Sequence, residues 1–351
     1  MVSNHVLRRN KQFILYPILV ERVLTIRQPR ARARMVTHGH QFERYLPSLL
    51  ERELVSTYRK GRICETATNR THIDSSRRSL AYAASSAAAA ANGHQSPLPA
   101  DEHSQALSFF HDSTGATWPI EPLTVMARHP FADLGCTWPR DPRIPKRENF
   151  DNISYLVVPN FCNSSAVVAG SVRLFDLGCG NHPLRKTGKS VKDGGGSAPS
   201  IGLLDNIYKS RCLPIDQIYA WEAREQSPAD FWKAVPATLL GKVHFYNTPV
   251  QAEQFLELLA TIVKPEDYVI IKLDLEGHKN HQELPIVHAL RDRKEFAHLV
   301  DELFFEAHFY FDGLNFGWGN KWGRRHKPDV DDALKLMSAL RHNGIRAHFW
   351  I

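Results

Sequence analysis

The second half of the chain alternates short apolar segments with amphipathic ones, and this alternation restricts the possible folds most strongly. The apolar segments have the length of buried strands, whereas the amphipathic segments carry apolar residues at helical spacing. Such a chain is expected to form an α/β fold, a mostly parallel sheet with helices on both faces. The predicted strands are Val172–Leu177, Ile215–Glu222, Lys242–Tyr246, Asp267–Leu275, Leu299–Phe309 and Ile345–Trp350, and the predicted helices are Ile201–Lys209, Gln251–Val263, Leu284–Arg291 and Asp331–Asn343.

Glycines and acids stand where the first two predicted strands end. Asp176 closes the first strand and is followed by Gly178 and Gly180, while Glu222 closes the second. Glycine lets the backbone turn tightly and approach a ligand closely, and a carboxylate can accept hydrogen bonds from both ribose hydroxyls. Because ligands of parallel sheets bind at the carboxyl ends of the strands, these residues predict a site for a nucleoside-containing cofactor.

A second group of polar residues ends the fourth and fifth predicted strands. Asp274 and Glu276 follow one strand, and Glu306 and His308 end the other, on the same side of it because alternate residues share a face. Two functional hypotheses fit such a group, a general base or a site for a divalent cation. The alternative is a polar network completed by Lys272 and nearby arginines. The imidazole of His308 is the expected base, because the ordinary pKa of a histidine lies near neutrality, and no residue is assigned to a metal.

The segments FDLGCG, IYAWEA, HFYNTPV, VIIKLDLEG and VDELFFEAHF occur in an order that resembles class I S-adenosylmethionine-dependent methyltransferases. The LDLEG and NTPV segments are most similar to the FkbM-like branch, and the resemblance covers about residues 166–351. It implies a Rossmann-like sheet, S-adenosylmethionine as cofactor, and methyl transfer to an oxygen of a small hydroxylated or carbohydrate acceptor. It also implies a cofactor loop at Asp176, Gly178 and Gly180, a ribose ligand at Glu222, Asn247 near the adenine, and Asp274 and Glu276 facing the methyl-transfer centre.

Two other functions remain open at this point. Residues 181–200 lengthen the loop after the first strand, which is compatible with a non-catalytic domain that keeps the fold. An acidic cluster that binds metal would instead suit a nucleotide-sugar-type transferase.

The first half of the chain differs sharply in composition. Residues 1–74 are basic, and their Arg-rich first 40 suit either an organelle transit peptide or a disordered extension. Residues 75–100 are rich in Ala and Ser and predict a flexible linker, and 101–165 predict an irregular lead-in rich in Pro and Trp. Within the basic segment, leucines at helical spacing predict a short helix at Gln41–Tyr58.

Charge and cysteine content exclude several classes of function. The net charge of +7 arises from the first 80 residues, so the core is slightly acidic and is not expected to bind nucleic acid. No stretch reaches the roughly 20 apolar residues of a membrane span. The five cysteines are scattered without a C-x-x-C pair, which favours free thiols in a reducing, intracellular compartment over disulfides or a zinc site.

Overall fold

The computed structural model describes residues 42–49, 51–52, 107–112, 115–123, 156–162, 168–180, 200–275, 282–307 and 330–350. These residues contain a six-stranded sheet, a three-stranded sheet and the helices that pack with them. In chain order the elements are β1 (Phe42–Leu46), β2 (Ser108–Asp112), β3 (Thr117–Ile120), β4 (Val172–Leu177), α1 (Ser200–Ser210), β5 (Gln217–Trp221), α2 (Pro228–Ala234), β6 (Val243–Tyr246), α3 (Ala252–Ile262), β7 (Tyr268–Leu273), α4 (Glu283–Asp292), α5 (Lys294–Ala297), β8 (Glu302–Phe305), α6 (Val330–His342) and β9 (Arg346–Phe349).

The six-stranded sheet has the order β6-β5-β4-β7-β8-β9, and all of its strand pairings are parallel. The chain therefore builds outward from β4 through β5 to β6, and then returns to the other side of β4 with β7. The expected α/β class and parallel sheet are confirmed. The strand order reverses between β4 and β7. This point matters for function, because the loops that follow the two strands run to opposite faces of the sheet and leave a crevice at its carboxyl edge.

Each face of this sheet is covered by a different layer. One face packs against apolar residues of α3, α4, α5 and α6, among them Phe255, Val287 and Met337. The other face packs against α1, α2 and the three-stranded sheet, through residues such as Tyr208 and Trp118. Helices therefore lie on both faces, as the alternating sequence pattern predicts.

The small sheet overturns two expectations for the first half of the chain. The helix predicted at Gln41–Tyr58 is wrong at its start, because Phe42–Leu46 is strand β1, paired antiparallel with β2. Phe42 and Tyr45 bury their rings against Phe110, and this aromatic packing favours a strand. Leu49, one of the leucines at helical spacing, is 55% exposed. Residues 108–112 and 117–120 form β2 and β3, so the irregular lead-in is wrong for these residues.

A buried network of charged groups joins the small sheet to the large one. His348 in β9 contacts Glu121 through Nδ1 at 2.6 Å and Glu302 through Nε2 at 2.9 Å. Arg341 in α6 donates to the Tyr45 hydroxyl at 2.9 Å and lies 3.4 Å from Glu51 Oε2. Burial lowers the pKa of His348, but the two carboxylates outweigh burial and raise it. The imidazole is therefore held protonated, with both nitrogens donating.

The expectation of free thiols is wrong for two of the five cysteines. Cys162 and Cys212 form a disulfide, with their Cα atoms 4.9 Å apart. Cys212 lies in the turn after α1 in a left-handed conformation, φ 58°, and the neighbouring Phe161 N–H donates to Arg211 O at 2.9 Å. Sequence spacing could not show this pairing, because folding alone brings the two thiols together. Disulfides persist in oxidising compartments, so the inference of a reducing compartment loses its basis.

Several expectations fall on residues outside the described part of the chain. They include the Arg-rich first 40 residues, the linker 75–100 and most of the long loop 181–200. Within the described part, every helix is too short or too polar to cross a lipid bilayer.

Candidate functional site

The carboxyl ends of β4, β5, β7 and β8 lie along one edge of the large sheet and carry most of the predicted site residues. Asp176 is the second-last residue of β4, and Gly178 is the first residue after this strand. Glu222, Asp274 and Glu306 are each the first residue after their strand, β5, β7 and β8 respectively. The parallel register between neighbouring strands therefore brings residues far apart in sequence to the same edge.

The turn after β4 is fixed by both neighbouring strands. Gly178 has φ 87°, and the backbone N–H groups of Gly178 and Cys179 both donate to Trp221 O, at 3.0 and 2.9 Å. On the other side, a Cβ atom on Gly178 would lie 1.8 Å from Asp274 O. Gly180 also has a positive φ of 74°, but open space surrounds its missing Cβ. Glycine is therefore required at 178 by close packing and at 180 by backbone conformation alone.

A buried lysine organises the centre of this edge. Lys272 is fully buried, and its Nζ lies 2.8 Å from Asp274 Oδ2 and 3.5 Å from Asp176 Oδ1. The same ammonium donates to Gly178 O at 2.7 Å. Burial by itself lowers the pKa of Lys272, but the two carboxylates outweigh it and raise the pKa. The lysine is therefore a permanent cation that ties the glycine turn to both acids.

The Asp176 carboxyl group lies at the end of β4, just before the glycine turn. It is fully buried and accepts a hydrogen bond from the hydroxyl of Ser200, the first residue of α1. Burial raises the pKa of Asp176 by more than Lys272 and Ser200 lower it. The acid thus connects the end of β4 to the start of the next helix, which fixes both ends of the intervening loop.

Glu306 and Asp274 form a carboxyl pair at the ends of β8 and β7. Glu306 is 7% exposed and Asp274 is 3% exposed, and the Glu306 N–H donates to Leu273 O at 3.0 Å, which holds the end of β8 beside that of β7. Burial raises the pKa of Glu306 well above its ordinary value, and the charge and hydrogen bond of Asp274 raise it further. Two neighbouring buried carboxyl groups repel each other when both are ionised, which favours the protonated form of Glu306.

The loop after β5 places Glu222 at the surface of the same edge. Its partly exposed carboxylate accepts from Arg224 N through Oε1 at 2.7 Å. Asn247 donates to Glu222 O at 2.8 Å and to Arg224 O at 2.7 Å, and its Oδ1 accepts from Gln226 N at 2.8 Å. The amide of Gln226 in turn donates to Gly180 O at 2.9 Å. Asn247 therefore holds the loop that carries Glu222, and its proximity to adenine stays a prediction.

The predicted site residues divide into two groups. Asp176, Gly178, Gly180, Glu222, Asn247, Asp274 and Glu306 all lie at this edge, whereas Glu276 and His308 lie outside the described residues. Sequence reasoning missed the roles of Ser200 and Gln226, which no motif marks. The signal for Lys272 was a single charge inside the apolar run of β7. Among the described residues, no group of His, Cys, Asp and Glu side chains has an arrangement that could hold a metal ion.

Comparison of the chain with protein-family models, with curated proteins and with solved structures finds no match.

Proposed function

We propose that this chain is an S-adenosylmethionine-dependent methyltransferase that methylates an oxygen of a small hydroxylated or carbohydrate acceptor. The observation that carries the proposal is the convergence, at the reversal of strand order, of a glycine turn, a ribose-type acid and a buried acidic cluster. The order of the six strands is also that of the doubly wound nucleotide-binding sheet.

Glu222 and the glycine turn supply the two ends of a cofactor subsite. The carboxylate of Glu222 is partly exposed at the end of β5, which suits bidentate hydrogen bonding to ribose hydroxyls. Gly178 lets the turn pack against Asp274 O, and open space surrounds the missing Cβ of Gly180, so a ligand could approach the backbone closely at Gly180. In this arrangement the methionine end of the cofactor would extend from Glu222 toward the ends of β4 and β7.

The acidic cluster favours a ligand with positive charge. Among the described residues, the three buried carboxyl groups of Asp176, Asp274 and Glu306 outnumber the ammonium of Lys272, which favours a positively charged ligand. The sulfonium of S-adenosylmethionine carries a fixed positive charge at the reacting centre. A buried negative surplus is effective there because the surrounding dielectric constant is low.

Methyl transfer requires positioning and one proton acceptor. The acceptor oxygen attacks the methyl carbon in line with the carbon–sulfur bond, which breaks as the carbon–oxygen bond forms, and the acceptor hydroxyl loses its proton. Glu306 and Asp274 are carboxyl groups at the edge where this occurs, and His308 stays a predicted base. No residue of the described site needs to form a covalent bond to the substrate.

Calorimetric titration with S-adenosylmethionine tests the proposal. The chain is expected to bind the cofactor, and Glu222→Gln is expected to weaken binding about tenfold or more, because charge-assisted hydrogen bonds to ribose are lost. The exposed neighbour Glu225 provides the matched control, and Glu225→Gln should leave the affinity unchanged. Absence of any binding heat at roughly 1 mM cofactor contradicts the proposal, since cofactors of working enzymes bind more tightly than this.

A further inference from the structure

The side chain of Gln226 joins the loop after β5 to the glycine turn after β4. Its amide nitrogen Nε2 donates to Gly180 O at 2.9 Å. The same two segments are also tied where they leave their strands, because Gly178 N–H donates to Trp221 O at 3.0 Å. The loop and the turn are therefore held together at two points, and Glu222 lies between these points in the sequence.

The loop that carries Gln226 is braced by further hydrogen bonds. Gln226 N–H donates to Asn247 Oδ1 at 2.8 Å. Asn247 Nδ2 donates to Glu222 O at 2.8 Å and to Arg224 O at 2.7 Å. Arg224 N–H in turn donates to the Glu222 carboxylate at 2.7 Å. Because these contacts join the backbone of the loop to that carboxylate, a displacement of Gln226 would be transmitted to Glu222.

The two glycines of the turn are restrained in different ways. Gly178 packs so closely that a Cβ atom there would lie 1.8 Å from Asp274 O, whereas open space surrounds the missing Cβ of Gly180. Glycine also loses more conformational freedom on ordering than any other residue. The hydrogen bond from Gln226 therefore restrains the part of the turn that close packing does not hold.

We propose, resting on the methyltransferase function proposed above, that Gln226 is a positioning residue that fixes the spacing between the Glu222 carboxylate and the glycine turn. In that function, S-adenosylmethionine uses both subsites, with its ribose at Glu222 and its methionine end at the turn. Gln226 acts through the two segments that it joins, and it takes no part in the chemistry.

A fixed spacing matters for a ligand that binds at two points. The first contact of such a ligand raises the effective concentration of its other end at the second subsite, and a site that already has the binding geometry loses less entropy when the ligand binds. A ligand that binds at one point gains neither benefit. S-adenosylmethionine is therefore expected to depend on Gln226, whereas adenosine, which lacks the methionine end, is not.

Calorimetric titration of the full chain and its variants with S-adenosylmethionine and with adenosine tests this role. Gln226→Met keeps the length of the side chain but removes the donor to Gly180 O. It is expected to weaken S-adenosylmethionine binding roughly five- to tenfold, as the loss of one hydrogen bond would, and to leave the affinity for adenosine unchanged. Gln217→Met is the matched control, because it removes a glutamine hydrogen bond to His244 at the opposite end of β5 and should leave both affinities unchanged.

The ratio of the two affinities separates positioning from a general loss of structure. A variant that merely loosens the site weakens both ligands alike, as Glu222→Gln is expected to do through the ribose. The melting temperatures of Gln226→Met and the unmodified chain should agree, since Gln226 is partly exposed and lies in a loop.

A double-mutant cycle with S-adenosylmethionine alone is a second measurement. Once Glu222→Gln has removed the ribose contact, the spacing has less effect, so Gln226→Met should weaken binding less than it does in the unmodified chain. Equal losses in the two backgrounds, or equal losses for the two ligands, overturn the inference and leave the methyltransferase proposal intact. If the unmodified chain does not bind S-adenosylmethionine, the methyltransferase proposal fails, and the inference fails with it.

Discussion

The Cβ atom that Gly178 lacks would lie 1.8 Å from the carbonyl oxygen of Asp274. This distance means that the turn after β4 and the end of β7 are in backbone contact, with no side chain between them. Lys272 strengthens the contact by donating to Gly178 O while it pairs with Asp274. The glycine turn and the acidic cluster are therefore one structural unit, and damage to either should affect both.

Gly178→Ala is expected to abolish cofactor binding and to lower the free energy of unfolding by roughly 2 to 5 kcal/mol, because a methyl group must displace backbone and adopt a left-handed conformation. Denaturant unfolding and calorimetry measure the two effects. Gly202→Ala is the matched control, since open space surrounds Gly202 in α1 and alanine favours a helix by about 0.5 to 1 kcal/mol. Equal stability of the two variants would contradict the close packing of the turn.

Arg341→Met is expected to lower the free energy of unfolding by about 3 to 5 kcal/mol, because the substitution removes the guanidinium that lies beside both buried Glu51 and buried Glu121. Denaturant unfolding at neutral pH measures the loss. Arg291 pairs with Asp292 on the exposed side of α4, so Arg291→Met should leave stability unchanged within error. If both substitutions cost equally little, the small sheet is not held by the buried network.

We expect the free energy of unfolding to fall in acid because of the Glu121 carboxyl group. Burial raises its pKa, but His348, Arg341 and the Val157 N–H outweigh burial and lower it from 4.5 to about 2. The stabilisation is therefore complete above the unfolded value of 4.5 and is lost as the pH falls toward about 2. It amounts to roughly 3 kcal/mol. Denaturant unfolding at a series of acidic pH values should show this slope, and Glu121→Gln should reduce it; an unchanged slope in the variant would rule out this role.

The Cys162–Cys212 disulfide encloses the glycine turn and α1 within a loop that spans 50 positions. Closure of such a loop stabilises the fold by up to about 4 kcal/mol, so a dithiol reductant is expected to lower the melting temperature. The Cys162→Ser variant should be less stable and insensitive to the reductant, whereas Cys179→Ala, which removes a free buried thiol, should remain sensitive. Peptide mapping without reduction should recover Cys162 linked to Cys212; two unlinked peptides would show that the bond does not form.

The sequence predicts the large sheet well because its strands follow a local rule. A buried parallel strand is usually a short, largely apolar segment, and β4 to β9 each lie within a strand predicted from the sequence. The sequence did not predict the small sheet, because β1 pairs with a strand that is more than 60 residues away in sequence. Phe42 packs against rings that come from β2 and β3, and no local period in the sequence marks such pairing.

The site shows the same division between local and distant determinants. Gly178, Glu222 and Asp274 were predictable because each follows a recognisable strand. The part of Asn247 in holding the loop after β5 was not, since its partners are backbone atoms of that loop. The different surroundings of Glu302 and Glu306 also required the structure: Glu302 joins the network of His348, whereas Glu306 lies at the carboxyl edge beside the end of β7.

A crystal structure of the full chain with S-adenosylmethionine tests most directly whether the carboxyl edge of the sheet is the cofactor site. The ribose hydroxyls are expected within hydrogen-bonding distance of the Glu222 carboxylate, and the methionine end beside the turn at Gly178 and Gly180. An edge that stays empty in crystals saturated with the cofactor, or a cofactor bound to a different surface, would contradict the account.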